Sequence, residues 1–252
     1  MSILQEILRK RLETRAQPHS LTELKTRALD LPPPRNFLHA LDKDKIVVIA
    51  EIKFRSPSEG LLRNGNDVGF ITESYAKNGA AALSVLTELH SFGGTLENIN
   101  RAKKVCALPV LRKDFLYDEY DIWESKISGA DAILLIAKML THDQLHELRG
   151  IAKQASLAIL LELHDEDDLK KAEGLSDVAF GVNHRNLETL TINLEISSRL
   201  FPFIKGLIVA ESGLRSHADL LLMQERGANA VLVGTSFMKH NDPGQALAAF
   251  LA

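Results

Sequence analysis

Eight stretches of this chain read as nearly unbroken runs of apolar, largely β-branched residues. They are IVVIAEI from Ile46, AALSVLT from Ala81 to Thr87, LPVLRKD from Leu108, DAILLIA from Asp131, LAILLEL from Leu157, VAFGVN from Val178, KGLIVAES from Lys205 and NAVLVGT from Asn229. Strands buried on both faces have this appearance, and parallel sheets are built from such strands. Between the runs lie TESYAKNGA, YDIWESKISGA, LHELRGIAKQA, DEDDLKKAEG and LLLMQERGA, each with apolar residues three and four apart, as on one face of a helix. Four of these segments close on Gly or Gly-Ala, where a left-handed helix terminus is expected. Eightfold strand–helix alternation predicts the α/β class and a (β/α)₈ barrel of the TIM type. An open doubly wound sheet would want a G-x-G-x-x-G turn after its first strand, and none is present.

The first 45 residues precede the barrel pattern. ILQEILRKRLETRA and LTELKTRAL predict two helices, and Pro32, Pro33 and Pro34 end the second. Too short for a core of its own, this extension is expected to pack on the barrel, so that residues 1–252 form one domain. The closing GQALAAFLA has the pattern of a last barrel helix, and no fused isomerase is expected.

Barrels of this type carry their chemistry at the C-terminal ends of the strands. Strand one ends in Glu51 and Lys53, followed by FRSPSEG. Strand three ends in Arg112, Lys113 and Asp114, strand five in Glu162, strand six in Asn183 and Arg185, strand seven in Glu211 and Ser212, and strand eight at Gly234. Glu51 and Lys53 are two apart and share a face, so both can point into the barrel mouth. A buried Lys or Glu without a partner is costly. Opposite charges about 4 Å apart at an effective dielectric near 20 gain about 4 kcal/mol per pair. Two lysines and two or three glutamates at one mouth would therefore satisfy one another. A purely structural ion-pair network has no reason to avoid the opposite end of the barrel. After strands seven and eight, ESG and VGTS place Gly213, Gly234 and small hydroxyl residues where barrels often bind phosphate.

Composition narrows the class further. The formal net charge of −3, from 30 Lys and Arg against 33 Asp and Glu, gives no bulk reason to expect nucleic acid. No apolar run reaches the length of a membrane span, and the N-terminus lacks the uninterrupted core of a secretory signal. The single Cys106 excludes an intramolecular disulfide framework and fits a reducing, cytoplasmic setting. No H-E-x-x-H metal motif occurs, and Asp165 to Asp168 read as the capping start of a helix rather than a metal site. Cys106 reads as a packing residue, His164 as a surface-loop residue in preference to one lining the mouth, and His184 as either a support behind the site or a solvent-facing side chain.

EIKFRSPSEG, LSVLTE, PVLRKDF, GADAILLI, LLELHDEDDL, GVNHRNLETL, VAESGL and AVLVGTSFM, in that order, resemble indole-3-glycerol phosphate synthases over essentially the whole chain. The resemblance implies conversion of 1-(2-carboxyphenylamino)-1-deoxyribulose 5-phosphate into indole-3-glycerol phosphate, CO₂ and water, with no cofactor or metal. It implies Lys113 as general acid at the substrate carbonyl, Glu162 as acid/base of the dehydration, and Lys53 as a second proton-transfer lysine positioned with Lys113 by Glu51. Asn183 would assist near the reacting carbons, and Ser212 belongs with this catalytic set while also helping Gly213, Gly234 and Thr235 hold the phosphate. Ser56 and Arg185 would hold the anthranilate end, Pro57 would shape the first loop, Phe92 and Phe115 would flank the ring, and Leu187 and Glu211 would line the site. A second cation and burial both lower a lysine pKa, and Glu51 opposes them. The sequence departs from the family pattern at Phe54-Arg55, at His184, and at SFGGT from Ser91, which leaves Phe92 alone on its side. The rivals are another phosphate-binding barrel such as phosphoribosylanthranilate isomerase, for which a Cys/Asp pair would be expected, and a non-catalytic barrel that only binds a phosphorylated metabolite. A small phosphorylated molecule is the expected partner, without nucleic acid or membrane, and a monomer is compatible with the sequence.

Overall fold

The structure, a computed structural model, describes residues 3–64 and 67–252. Each apolar run becomes a parallel strand: β1 Val47–Ile52, β2 Ala82–Leu86, β3 Val110–Lys113, β4 Ala132–Ile136, β5 Ala158–Leu163, β6 Ala179–Asn183, β7 Leu207–Glu211 and β8 Ala230–Val233. Every strand pairs with its successor, and β8 closes on β1 through Ala50 opposite Val233, giving a closed (β/α)₈ barrel. Alternation divides each strand between two cores. Ile49, Leu111, Leu134, Leu160, Val209 and Leu232 fill the interior, whereas Val48, Ala50, Val85, Leu135 and Leu161 pack outward beneath the helices. Gly79 and Gly129 end their helices at φ +98° and +85°, but the helix over LHELRGIAKQA is closed by Ser156 at φ +59°.

The N-terminal extension holds three helices rather than two. Helix α1 (Ile3–Thr14) runs to the mouth, and α2 (Leu21–Leu29) begins with a capping box between Ser20 and Glu23. Leu24 and Ala28 of α2 join the cluster containing Ile122 and Trp123 of the helix Glu119–Ile127. Helix α3 (Phe37–Leu41), capped by the Asn36 side chain, follows the proline run. Its Phe37 and Leu41 are fully buried among the interior strand residues and plug the barrel floor. Burial of each contributes roughly 1.5–3 kcal/mol. Five residues are too few for a periodicity to stand out, so pattern alone gave no sign of α3. The loop after β1 contains a further departure, a short antiparallel hairpin pairing Arg55 with Leu61 and Ser56 with Gly60.

Candidate active site

Strand alternation carries the site. Two residues beyond interior Ile49 comes Glu51, and two further on, just past β1, comes Lys53. Leu111 leads to Lys113, Leu160 to Glu162, Val209 to Glu211, and Leu232 to Gly234, while Ala179 and Gly181 lead to Asn183. These side chains meet above the interior core at the C-terminal end. Lys53 Nζ lies 2.6 Å from Glu51 Oε1, and Lys113 Nζ lies 2.8 Å from Glu162 Oε2 and 3.0 Å from Glu211 Oε2. Asn183 Nδ2 donates to Glu162 Oε1 at 3.1 Å. Two glycines make room for this cluster. A Cβ on Gly234 would stand 2.4 Å from Glu51 Oε1, and one on Gly181 would stand 2.1 Å from Glu211 Oε1.

Around the cluster lies a cavity of about 520 Å³, within the usual size range of small-molecule sites. Its lining includes every residue to which the resemblance gives a catalytic or binding role. Ser56 and Pro57 contribute from the hairpin, where Ser56 Oγ accepts from the Glu59 backbone N–H at 3.2 Å. Phe92 and Phe115 stand with ring centroids 6.1 Å apart and planes tilted 39°. The loop carrying Phe92 is ordered by buried Glu88, whose carboxylate accepts from the backbone N–H groups of His90, Ser91 and Phe92. Arg185 and Leu187 line the wall after β6, where Arg185 donates to the Leu190 carbonyl at 2.9 Å. Ser212, Gly213, Gly234 and Thr235 line the side after β7 and β8. Ser212 takes φ +67°, a left-handed conformation that costs a non-glycine residue roughly 1–2 kcal/mol. Gly213 follows at φ +83°, where a Cβ would come within 2.5 Å of Ile192.

Electrostatically the cluster is dominated by its carboxylates. Burial pulls the Lys113 ammonium down, but Glu162, Glu211 and Glu51 outweigh it and hold the group well above the ordinary lysine value. The sequence left burial and a second cation set against Glu51, and the additional carboxylates decide the balance. For Glu162, burial acts upward, yet Lys113 and His164 prevail and hold it well below the carboxylate range. Glu211 goes the other way. Burial raises it against Lys113, and Glu162 adds to the rise, so its pKa is pushed up to about 7. One carboxylate is thus held ionised beside another poised near neutrality.

Several expectations need correction. His164 is not a surface-loop residue: its side chain is 8% exposed, with Nε2 3.2 Å from Glu162 Oε1. It lies two residues beyond Glu162 and so shares its face, a signal that alternation could have supplied. Arg112, next to Lys113, faces outward and is buried against Glu124, Ser125 and Asp114. Asp114 borders the cavity, but its carboxylate is taken up by Arg11, Arg112 and Thr87. His184 lies behind the site, fully buried, and Nδ1 donates to the Ser212 carbonyl at 3.1 Å. Burial lowers its pKa and keeps the ring neutral. The Asp165–Asp168 run caps the helix Glu166–Lys171, with the Asp165 side chain accepting from the Asp168 N–H. Among the described residues no group of three His, Cys, Asp or Glu side chains is placed to hold a metal ion, and no helix is long and apolar enough to cross a membrane. Sequence reasoning also missed Leu4 and Ile7, which bring α1 to the cavity wall, because nothing local shows where that helix docks.

The model of the indole-3-glycerol phosphate synthase family matches residues 2–250. The chain belongs to that family. A curated indole-3-glycerol phosphate synthase of Albidiferax ferrireducens is 43% identical over 239 residues, covering 92% of this chain and 90% of the relative. Another, from Laribacter hongkongensis, is 40% identical over 260 residues and covers 99% of each. Membership makes the protein a ring-closing, decarboxylating lyase of tryptophan biosynthesis that acts on a phosphorylated small molecule. Among solved structures, a mutant tryptophan synthase α-subunit from Pyrococcus furiosus matches with a TM-score of 0.62 at 14% identity, over 83% of this chain and 98% of that one. At that identity the likeness speaks for the barrel alone.

Proposed function

We propose that Lys113, Lys53 and Glu162 carry the proton transfers of indole-3-glycerol phosphate synthesis in this barrel. The supporting observation is the convergence of two ammonium groups and three carboxylates from β1, β3, β5 and β7 on one cavity, with both Glu162 and Glu211 within hydrogen-bond distance of Lys113. Ring closure joins the aromatic carbon bearing the carboxylate to the ketone carbon of the deoxyribulose. Charge then develops on the ketone oxygen, and Lys113, kept firmly as an ammonium, is the group to donate a proton there. An alkoxide is basic enough to take it. Loss of CO₂ returns the electron pair to the ring and restores aromaticity. Dehydration removes a proton from one carbon and a hydroxide from its neighbour. Glu162 is ionised and takes the proton, and Lys53, held by Glu51, protonates the departing hydroxyl.

Binding follows the cavity walls. The phosphate is assigned to the loops of Ser212–Gly213 and Gly234–Thr235, where the absence of a side chain at two positions lets backbone approach an anion closely. The anthranilate ring is assigned to the wall of Phe92 and Phe115, with its carboxylate towards Arg185 and Ser56. Asn183 orients Glu162, and Leu187 closes the wall beside Arg185. The same reading assigns the enzyme to the cytoplasm, where a biosynthetic lyase of this kind finds its phosphorylated substrate. The isomerase alternative finds no support in Cys106, which caps the helix Glu97–Val105 before β3, at the end away from the mouth. Replacing Lys113→Ala tests the assignment. Turnover should fall by about 10²–10⁴, the range for loss of a general acid, while the thermal transition shows a folded barrel. A folded variant with near-normal turnover would remove Lys113 from the role.

A further inference from the structure

The imidazole of His164 sits between two buried carboxylates. Glu162 Oε1 lies 3.2 Å from Nε2 and Asp168 Oδ2 lies 3.5 Å from Nδ1. Neither contact is aligned as a hydrogen bond, and neither ring nitrogen has another partner. A neutral imidazole carries one N–H and one lone pair, so one of these faces would set a lone pair against a carboxylate oxygen. Only the imidazolium, with two N–H groups, suits both. Asp168 is itself fixed, since its Oδ2 accepts the His164 backbone N–H at 3.1 Å and its Oδ1 lies 3.5 Å from Lys171 Nζ.

We propose that His164 is a positioning residue of the reaction, an imidazolium clamped between Asp168 and Glu162 that keeps the Glu162 carboxylate ionised and aimed at Lys113 and Asn183. The inference rests on the reading of Glu162 as a proton carrier. Every charged group near the ring enters the balance: Glu162 on β5, Asp165, Asp168 and Lys171 on or capping the following helix, Lys138 on the neighbouring 3₁₀ turn, and Lys113 and Glu211 across the mouth. Burial works against the charge on His164, but Asp168 and Glu162 outweigh it and push its pKa up to about 9. The ring is therefore protonated through neutral pH and loses its proton as pH rises through about 9. Above that pH Glu162 loses its clamp.

Two measurements test the proposal together. An NMR pH titration of the labelled histidine rings, with the His164 signal assigned by its absence in His164→Gln, should show that ring titrating near pH 9. In Glu162→Gln its titration should fall by about one unit or more as one anionic partner is lost. The parent kcat should fall as pH rises through about 9, and His164→Gln should lower kcat by about tenfold with KM little changed and remove that fall. A His164 ring titrating at the ordinary imidazole value of about 6.5, and indifferent to Glu162→Gln, would overturn the clamp. So would a folded His164→Gln enzyme with the parent pH profile. If instead the ring titrates as expected but Glu162→Gln turns over normally, the role assigned to Glu162 fails while the buried imidazolium stands.

Discussion

Glu211 is the carboxyl group of the cluster whose surroundings tighten its hold on a proton. It is buried, shares Lys113 with Glu162, and has its pKa raised from 4.5 to about 7. The sign of the linkage follows directly. A carboxyl that binds its proton more tightly folded than unfolded favours the native state below its unfolded pKa, and that advantage is lost as pH rises from about 4.5 through about 7. Above pH 7 the native protein carries a carboxylate that burial opposes. Glu211→Gln should therefore be more stable than the parent at pH 8, by about 1–3 kcal/mol, with the difference shrinking towards pH 4.5. Urea unfolding at both pH values measures it, and equal or lower stability at pH 8 would refute the stated balance. Such a gain on removing a site residue is the ordinary trade between stability and function.

At the scale of elements, alternation along each strand explains both what the sequence disclosed and what it hid. Glu51, Lys113, Glu162, Asn183 and Glu211 were legible because each is a polar residue ending an apolar run. His164 and Gly181 obey the same two-residue rule and were passed over, one because a loop histidine is usually solvated and the other because a glycine carries no chemistry of its own. Arg112 and Asp114 were grouped with Lys113 although their position along the strand turns them the other way. Asp114 instead joins α1 to the barrel, with Arg112 holding its carboxylate from the other side. Arg11 pairs with Asp114 at 3.0 Å and Asp121 at 2.7 Å in a buried setting, whereas Arg9 pairs with Glu13 on the exposed side of the same helix. Arg11→Ala should cost about 3 kcal/mol by leaving two buried carboxylates short of a partner. Arg9→Ala should change stability by less than about 1 kcal/mol. Denaturant titration of the two variants makes the comparison, and equal effects would contradict the buried tether.

For the whole molecule, eightfold repetition made the barrel readable from the chain, because strands buried on both faces cannot hide their composition. The placement of the extension was not readable in the same way. Docking of Leu4 and Ile7 at the mouth and of Phe37 and Leu41 at the floor depends on surfaces assembled only by the closed barrel. The parts combine into a barrel filled from below, with a charged cluster on top and a cavity large enough for a phosphorylated aromatic substrate. On the proposed function, this cluster performs chemistry rather than merely holding a ligand. The direct measurement is to give the purified protein 1-(2-carboxyphenylamino)-1-deoxyribulose 5-phosphate and follow indole fluorescence together with CO₂ release. Both should appear in equal amounts over many turnovers, and saturable binding of that compound with neither product would rule out a catalytic role for the cluster.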